Sequence, residues 1–133
     1  MEALLKAAFL ADADVVEMVV DRAHWDQLPD RKRVPAVIFH EIGGGGFRHT
    51  MRGRVPTTEY VVQVDCWAAS KAAALDLRRR ALAALDRLKG PALEAFPERS
   101  HASWTPTPGA GVDRATSLFR ASIDVRCWHH ETA

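Results

Sequence analysis

Two hexapeptides decide the fold: Val62-Gln63-Val64-Asp65-Cys66-Trp67 and Ile123-Asp124-Val125-Arg126-Cys127-Trp128. Each alternates a small apolar residue with a polar one and ends in Cys-Trp. A period of two sends successive side chains to opposite faces of a strand. Extended outward, the first predicts a strand over Thr57–Trp67. Tyr60, Val62, Val64 and Cys66 share one face; Glu59, Val61, Gln63, Asp65 and Trp67 share the other. The second predicts a strand over Thr116–His129. Phe119, Ala121, Ile123, Val125 and Cys127 face one way; Leu118, Arg120, Ser122, Asp124, Arg126 and Trp128 face the other. A clean alternation means one face is core and the other is wet or meets a partner.

Between these strands lies the most regular helix signal. Ser70 is a good N-cap, and Ala74, Leu77, Ala81, Ala84, Leu85 and Leu88 form one stripe at helical spacing. The helix is expected over Ser70–Lys89, with Gly90 as a left-handed C′ residue and Pro91 preventing continuation. Leu75 and Leu82 fall outside the stripe, one heptad apart, and suggest a second contact surface. Residues 1–11 read as a shorter helix through Leu4, Leu5, Ala8 and Phe9, and Asp12 or Asp14 caps a further turn through Val16 and Glu17. Val19-Val20 reads as a strand or its approach. Pro35–Ile42 is a third strand, and a short fourth is expected near Ser103-Trp104-Thr105. Leu28–Arg33 reads as a loop, and Pro108–Gly111 as a turn. The sum is an α+β domain: a small antiparallel sheet of about four strands, packed on one face by a long and a short helix.

Composition bounds the rest. The chain has 133 residues, enough for one domain over 1–133. The 18 basic and 17 acidic side chains leave a net charge of +1, which argues against a dedicated nucleic-acid binder. No apolar run approaches the ~18–20 residues needed to span a bilayer, and the first residues lack the pattern of a signal peptide. A cytosolic start is the expectation. Two cysteines are too few for a disulfide framework.

No chemical motif stands out. The run Gly43-Gly44-Gly45-Gly46 is followed by Phe47-Arg48-His49-Thr50, so it is neither a phosphate loop nor a dinucleotide fingerprint. Four glycines carry a large ordering entropy. Gly43–Arg54 is therefore expected as a flexible loop or hairpin tip carrying Arg48, Arg52 and Arg54, a candidate docking loop. Cys127-Trp128-His129-His130-Glu131 has poor geometry for a metal, because neighbouring strand residues diverge. Cys66 and Cys127 sit on apolar faces, where thiols are inert. No catalytic residue, metal site or cofactor is expected. Arg31-Lys32-Arg33 is a second basic cluster, read as solvated or ion-paired loop charge. Trp67 and Trp128, beside Asp65 and Arg126 on the face away from the core, make a candidate oligomer interface together with Leu75 and Leu82.

The order of segments carries a resemblance. An N-terminal helix precedes Pro35-Ala36-Val37-Ile38-Phe39 and the glycine run; Val62–Ala68, the Ala-, Leu- and Arg-rich helix, and Asp124–His129 follow. Over nearly the whole chain this resembles the tail completion, or tail terminator, proteins of long-tailed phages, prophages and gene transfer agents. The sharpest pieces are Gln63–Ala68 with its helix, and Ile123–His129. The resemblance implies a small α+β fold related to the phage lambda tail terminator. It also implies a homo-oligomer, a hexameric ring that caps the head-proximal end of the tail tube and stops tube polymerisation. Such a ring offers a joining surface to the head connector, and DNA passes through it without sequence-specific binding. The place of such a protein is the cytoplasm during assembly and then the virion's head–tail junction. The other readings are a head-side adaptor, stopper or minor tail protein, and, from a different class, a small enzyme or ligand-binding domain using His24, His40 or Cys66.

Overall fold

The computed structural model describes residues 1–26, 34–107 and 118–131. The elements run α1 (Glu2–Leu10), α2 (Ala13–Val19), β1 (Ala23–Trp25), β2 (Ala36–Thr50), β3 (Gly53–Ala68), α3 (Lys71–Arg87), β4 (Leu93–Thr107) and β5 (Leu118–His130). The two opening hexapeptides fall in β3 and β5, the antiparallel centre of a five-stranded sheet of order β1-β2-β3-β5-β4. The antiparallel strands of the sequence reading are present, except that the fourth, expected as a short strand near Ser103-Trp104-Thr105, runs from Leu93 to Thr107; β1 adds a fifth, parallel to β2 through Ala23–Trp25. The loop Leu28–Arg33, with its basic cluster, and the turn Pro108–Gly111 lie outside the described residues.

The alternation sorts the sheet as expected. Val37, Phe39, Val62, Val64, Cys66, Ile123, Val125 and Cys127 are fully buried on one face. Leu77, Ala81 and Leu85 of α3, with Leu5 and Phe9 of α1 and Val15 and Val19 of α2, close that core. The Phe9 and Phe39 rings meet edge to face at 5.2 Å. Each fully buried Leu or Phe contributes about 1.5–3 kcal/mol. Ser70 caps α3 through Ala73 N–H at 3.2 Å. Asp12 caps α2 by accepting from Asp14 N–H at 3.1 Å and Val15 N–H at 3.3 Å, and its other oxygen receives Arg87 of α3. Arg80 adds a second link between these helices, pairing with Glu17 at 3.2 Å.

Three local expectations are corrected. Val19 ends α2, and Val20 is its C-cap at φ 61°, so this β-branched pair is not a strand: burying Val19 in the core outweighs its strand propensity. Gly90 is not left-handed; α3 stops at Leu88, and Gly90 instead donates its N–H to Leu93 O at 3.0 Å, leading into β4. The largest correction is Gly43–Arg54. It is not a loop: β2 runs through all four glycines to Thr50, and the chain reverses at Met51-Arg52. The reason is the partner. Val61, Tyr60 and Glu59 of β3 pair with Gly43, Gly44 and Gly46, in a strand whose Thr57, Thr58, Tyr60, Val61 and Val62 are strong strand formers, with register shifts after Glu41, Gly44 and Phe47. The glycine of the turn is Gly53, at φ 115°.

Two outcomes follow from these contacts. Gly44 has φ 87°, and a Cβ there would lie 2.5 Å from Glu59 O and 2.7 Å from Tyr60 Cα. Gly44→Ala should therefore cost about 1–3 kcal/mol in urea unfolding. Gly43→Ala, whose Cβ meets Val61 Cβ at 3.8 Å, should be tolerated. Burial acts to raise the pKa of Asp12, but hydrogen bonds from Arg87, Val15 and Asp14 and the Arg87 charge outweigh it and hold the carboxyl below its usual 3.8. A depressed carboxyl stabilises the fold above its unfolded pKa and loses that effect as pH falls through its folded value. Asp12→Ala should thus lose about 1 kcal/mol near neutral pH, the gap to the parent shrinking as pH drops below the carboxylate range.

Candidate functional site

The helices cover one face of the sheet. Among the described residues, the opposite face carries a lattice of charged and aromatic side chains, and this open face holds most of the site predicted from sequence. Its centre is Asp65 on β3, 1% exposed. A bare carboxylate there would be costly, so its oxygens are filled. Oδ1 accepts from Ser122 Oγ at 2.6 Å and from Gln63 Nε2 at 2.8 Å. Oδ2 lies 3.2 Å from His40 Nε2 and 3.9 Å from Arg120 Nη1. The register explains the convergence: Ile38, Asp65 and Ser122 stand abreast on β2, β3 and β5, with His40 and Gln63 in the next row.

The same pattern repeats along the face. Asp124 lies 3.2 Å from His101 Nε2 and 3.6 Å from Arg99 Nε. Arg126 bridges Glu59 at 3.2 Å and Glu98 at 2.6 Å. Trp67 has the Arg120 guanidinium 5.8 Å from its ring centre. These pairs run across strands, where opposite charges stabilise by about 0.2–1 kcal/mol each.

The candidate interface residues do not form one patch. Trp67 and Trp128 share the open face, but β3 and β5 are antiparallel, so equivalent strand ends point in opposite directions. Trp67 pairs with Arg120, and Trp128 lies eight residues further along β5, roughly 27 Å away. Leu75, half-buried, and Leu82, 37% exposed, lie on α3 in the other layer. Asp65 is occupied internally.

The candidate docking segment is the outer part of the β2–β3 hairpin. β3 pairs with β5 only as far as Thr57↔His130, whereas β2 and β3 stay paired to Thr50↔Gly53. Residues beyond Thr57 therefore form a two-stranded ribbon that projects by roughly 13 Å. Met51 at its tip is fully exposed, beside Arg52.

Residues considered for chemistry do not converge. Cys66 is on the helix-covered face, while His24 and His40 follow the register of the open face, so the sheet itself separates them. Burial pushes the Cys66 thiol well up, against a small opposing effect of Arg78, and raises Cys127 to about 12. Ser122 Oγ is buried and donates to a carboxylate, not to a histidine. At the C-terminal end, His130 is held by Thr57 Oγ1 at 3.0 Å and Glu94 Oε2 at 3.5 Å. No group of three or more His, Cys, Asp or Glu able to hold a metal occurs among the described residues. A cleft of about 160 Å³ between α1 and α3, lined by Ala8, Phe9, Ala84 and Leu88 among others, is smaller than the ~300 Å³ of ordinary ligand sites. No helix among the described residues is long and apolar enough to cross a membrane.

Sequence reading missed the Asp65 network as a unit. The signal was present: an acid at a central position of a strand whose neighbours are apolar demands partners. Apart from Gln63 on β3 itself, those partners sit on β2 and β5, with His40 and Ser122 25 and 57 residues away, and only strand register brings them together. Asp65→Leu should remove the acceptor shared by Ser122 and Gln63; breaking a buried polar constellation from one side costs about 3–5 kcal/mol. The additional Ser122→Ala change should recover part of that loss, which a double-mutant unfolding cycle would read.

Comparison with known proteins then places the chain. The family model described as tail completion protein gp17 matches residues 3–130. A chain in a solved structure titled "Virion of native gene transfer agent (GTA) particle" is similar in fold, with a TM-score of 0.57 and 20% identity over 96% of this chain and 95% of that one. No curated protein matches in sequence. With the family match spanning nearly every described element, the chain belongs to the tail completion protein gp17 family and is a structural protein of the phage tail.

Proposed function

We propose that this chain is a tail terminator: a non-enzymatic subunit that assembles into a ring, hexameric as the family resemblance implies. The ring caps the head-proximal end of the tail tube, stops its polymerisation and offers the joining surface to the head connector. The family match over residues 3–130 carries the reading. The architecture supports it: one sheet face is covered by helices, the other presents Trp67, Trp128 and Arg126, and a hairpin projects beyond the sheet. Trp and Arg are the residues most enriched in the energetic centres of interfaces. Ring assembly needs two different patches on each copy, and the open sheet face and the Leu75/Leu82 side of α3 lie in different layers. The hairpin Gly43–Arg54 serves assembly. The near-neutral chain suits a channel through which DNA moves without being gripped. The subunit is made in the cytoplasm and ends in the virion.

Light scattering and negative-stain imaging of the purified protein, alone and with tail tube protein, test the reading. Rings and capped tubes of defined length are the expected result. A protein that stays monomeric and leaves tube length unlimited sinks it; capture by portal protein instead of tubes would indicate the head-side adaptor. Trp67 is half-buried in the isolated subunit, so Trp67→Ala should mainly weaken assembly, by about 2 kcal/mol or some 30-fold for an interface anchor. Replacing Arg48, Arg52 and Arg54 together by alanine should abolish capping while leaving the melting temperature unchanged.

A further inference from the structure

The chain's charges are sorted by position. Residues 1–26 hold six acidic side chains against Lys6 and Arg22. From Gly43 to Thr58 there are three arginines and no acid. Of the 18 basic and 17 acidic side chains, the hairpin thus takes three and none, leaving 15 against 17 in the remainder. The subunit is a basic arm on a slightly acidic body.

The fold sets only part of that acidic charge opposite the arm: Asp12 meets Arg87 at the end of α3, on the β4 side of the sheet, whereas Asp21 lies next to Val20, just before β1. Val20 ends α2 and precedes β1, whose Ala23 pairs with Val37 near the start of β2. Met51 follows the far end of β2, roughly 40 Å along the strand. Asp21, next to Val20, is exposed; Arg22 beyond it is tied to Met18 O and Pro35 O, and Glu17, three residues earlier, is exposed but paired with Arg80 at 3.2 Å. Arg52 flanks Met51 at the tip, with Arg48 and Arg54 close by in sequence. The two most exposed large apolar side chains described are Met51, fully exposed, and Val20, 57% exposed. Each has an exposed charged neighbour of opposite sign to the other's, Arg52 beside Met51 and Asp21 beside Val20. Val20 is also strained: φ 61° and ψ −92° is a costly conformation for a β-branched residue, on the order of 1–3 kcal/mol. Its N–H bonds Val16 O at 2.9 Å, and Arg22 N–H bonds Val19 O at 2.9 Å, so the turn holds the side chain outward.

We propose that the Met51 tip of one copy docks on the Val20 turn of the next, with Met51 against Val20 and Arg52 facing Asp21. An apolar centre with a charged rim is the ordinary anatomy of an interface. Arg52 and Asp21 are opposite in sign, and arm and turn lie at opposite ends of the sheet, so an arm cannot reach its own turn. The contact is therefore heterologous, the kind that closes rings. The apolar apex favours a protein partner over a phosphate backbone, which a tip ending in arginine alone would suit. This deepens the ring reading by naming one of its contacts, and rests on it.

Charge reversal of the full-length protein provides the test, read by light scattering over a concentration series, with circular dichroism as the folding control. Arg52→Glu and Asp21→Arg should each raise the concentration for half-assembly at least tenfold at low salt. The double variant, which restores opposite signs, should recover assembly. Val20→Gly should keep or raise the melting temperature, because strain is relieved, yet still weaken assembly. Wild-type rings that none of these single changes affects would overturn the docking contact and leave the ring intact. Loss of duplex-DNA binding in Arg52→Glu without any change in assembly would overturn it too, in favour of a nucleic-acid arm. A wild-type protein that is monomeric at every concentration removes both readings together.

Discussion

The structure depends on β3 being paired on both sides. Its apolar row, Val62, Val64 and Cys66, is the middle of the core, and its two edges set the register of everything else. On one side it aligns β5, bringing the second Cys-Trp motif into the sheet. On the other it templates β2, including four glycines with no strand preference of their own. Without β3 that glycine run has no reason to be ordered; the cost of fixing four glycines is met by ladder hydrogen bonds with a strand that is already held.

A sheet covered by helices on one face only must solve the other face with its own side chains. Here the solution is electrostatic. Asp65 is buried beneath the longer side chains it binds, and Asp124 and Arg126 each meet two partners on neighbouring strands. Such a face is stiff and specific in shape without being apolar enough to aggregate. In the proposed ring, Trp67 and Trp128 at the two ends of this face serve as the aromatic anchors.

The helix layer follows the same logic. Asp12 is both the N-cap of α2 and the partner of Arg87, and Arg80 holds Glu17. These links fix the acidic N-terminal segment along α3, from Arg87 at the helix's end to Arg80 at its middle. The acids Asp12 and Glu17 are thus matched by arginines of α3, whereas the hairpin stretch Gly43–Thr58 carries three arginines and no acid.

The sequence by itself determined the alternation of β3 and β5, the apolar stripe and N-cap of α3, the α+β class and the family resemblance. These rest on periodicity and local hydrogen bonding, which are written in neighbouring residues. Tertiary structure alone decided three things. It turned Gly43–Thr50 into strand, because order there comes from β3 rather than from the glycines. It ended α2 at Val19 and left Val20 strained, because the core's hold on Val15 and Val19 outweighs the preference of a β-branched residue. And it set the two Cys-Trp motifs roughly 27 Å apart, because identical patterns on antiparallel strands point in opposite directions. In each case the deciding contacts join residues distant in the chain, where no local pattern records them.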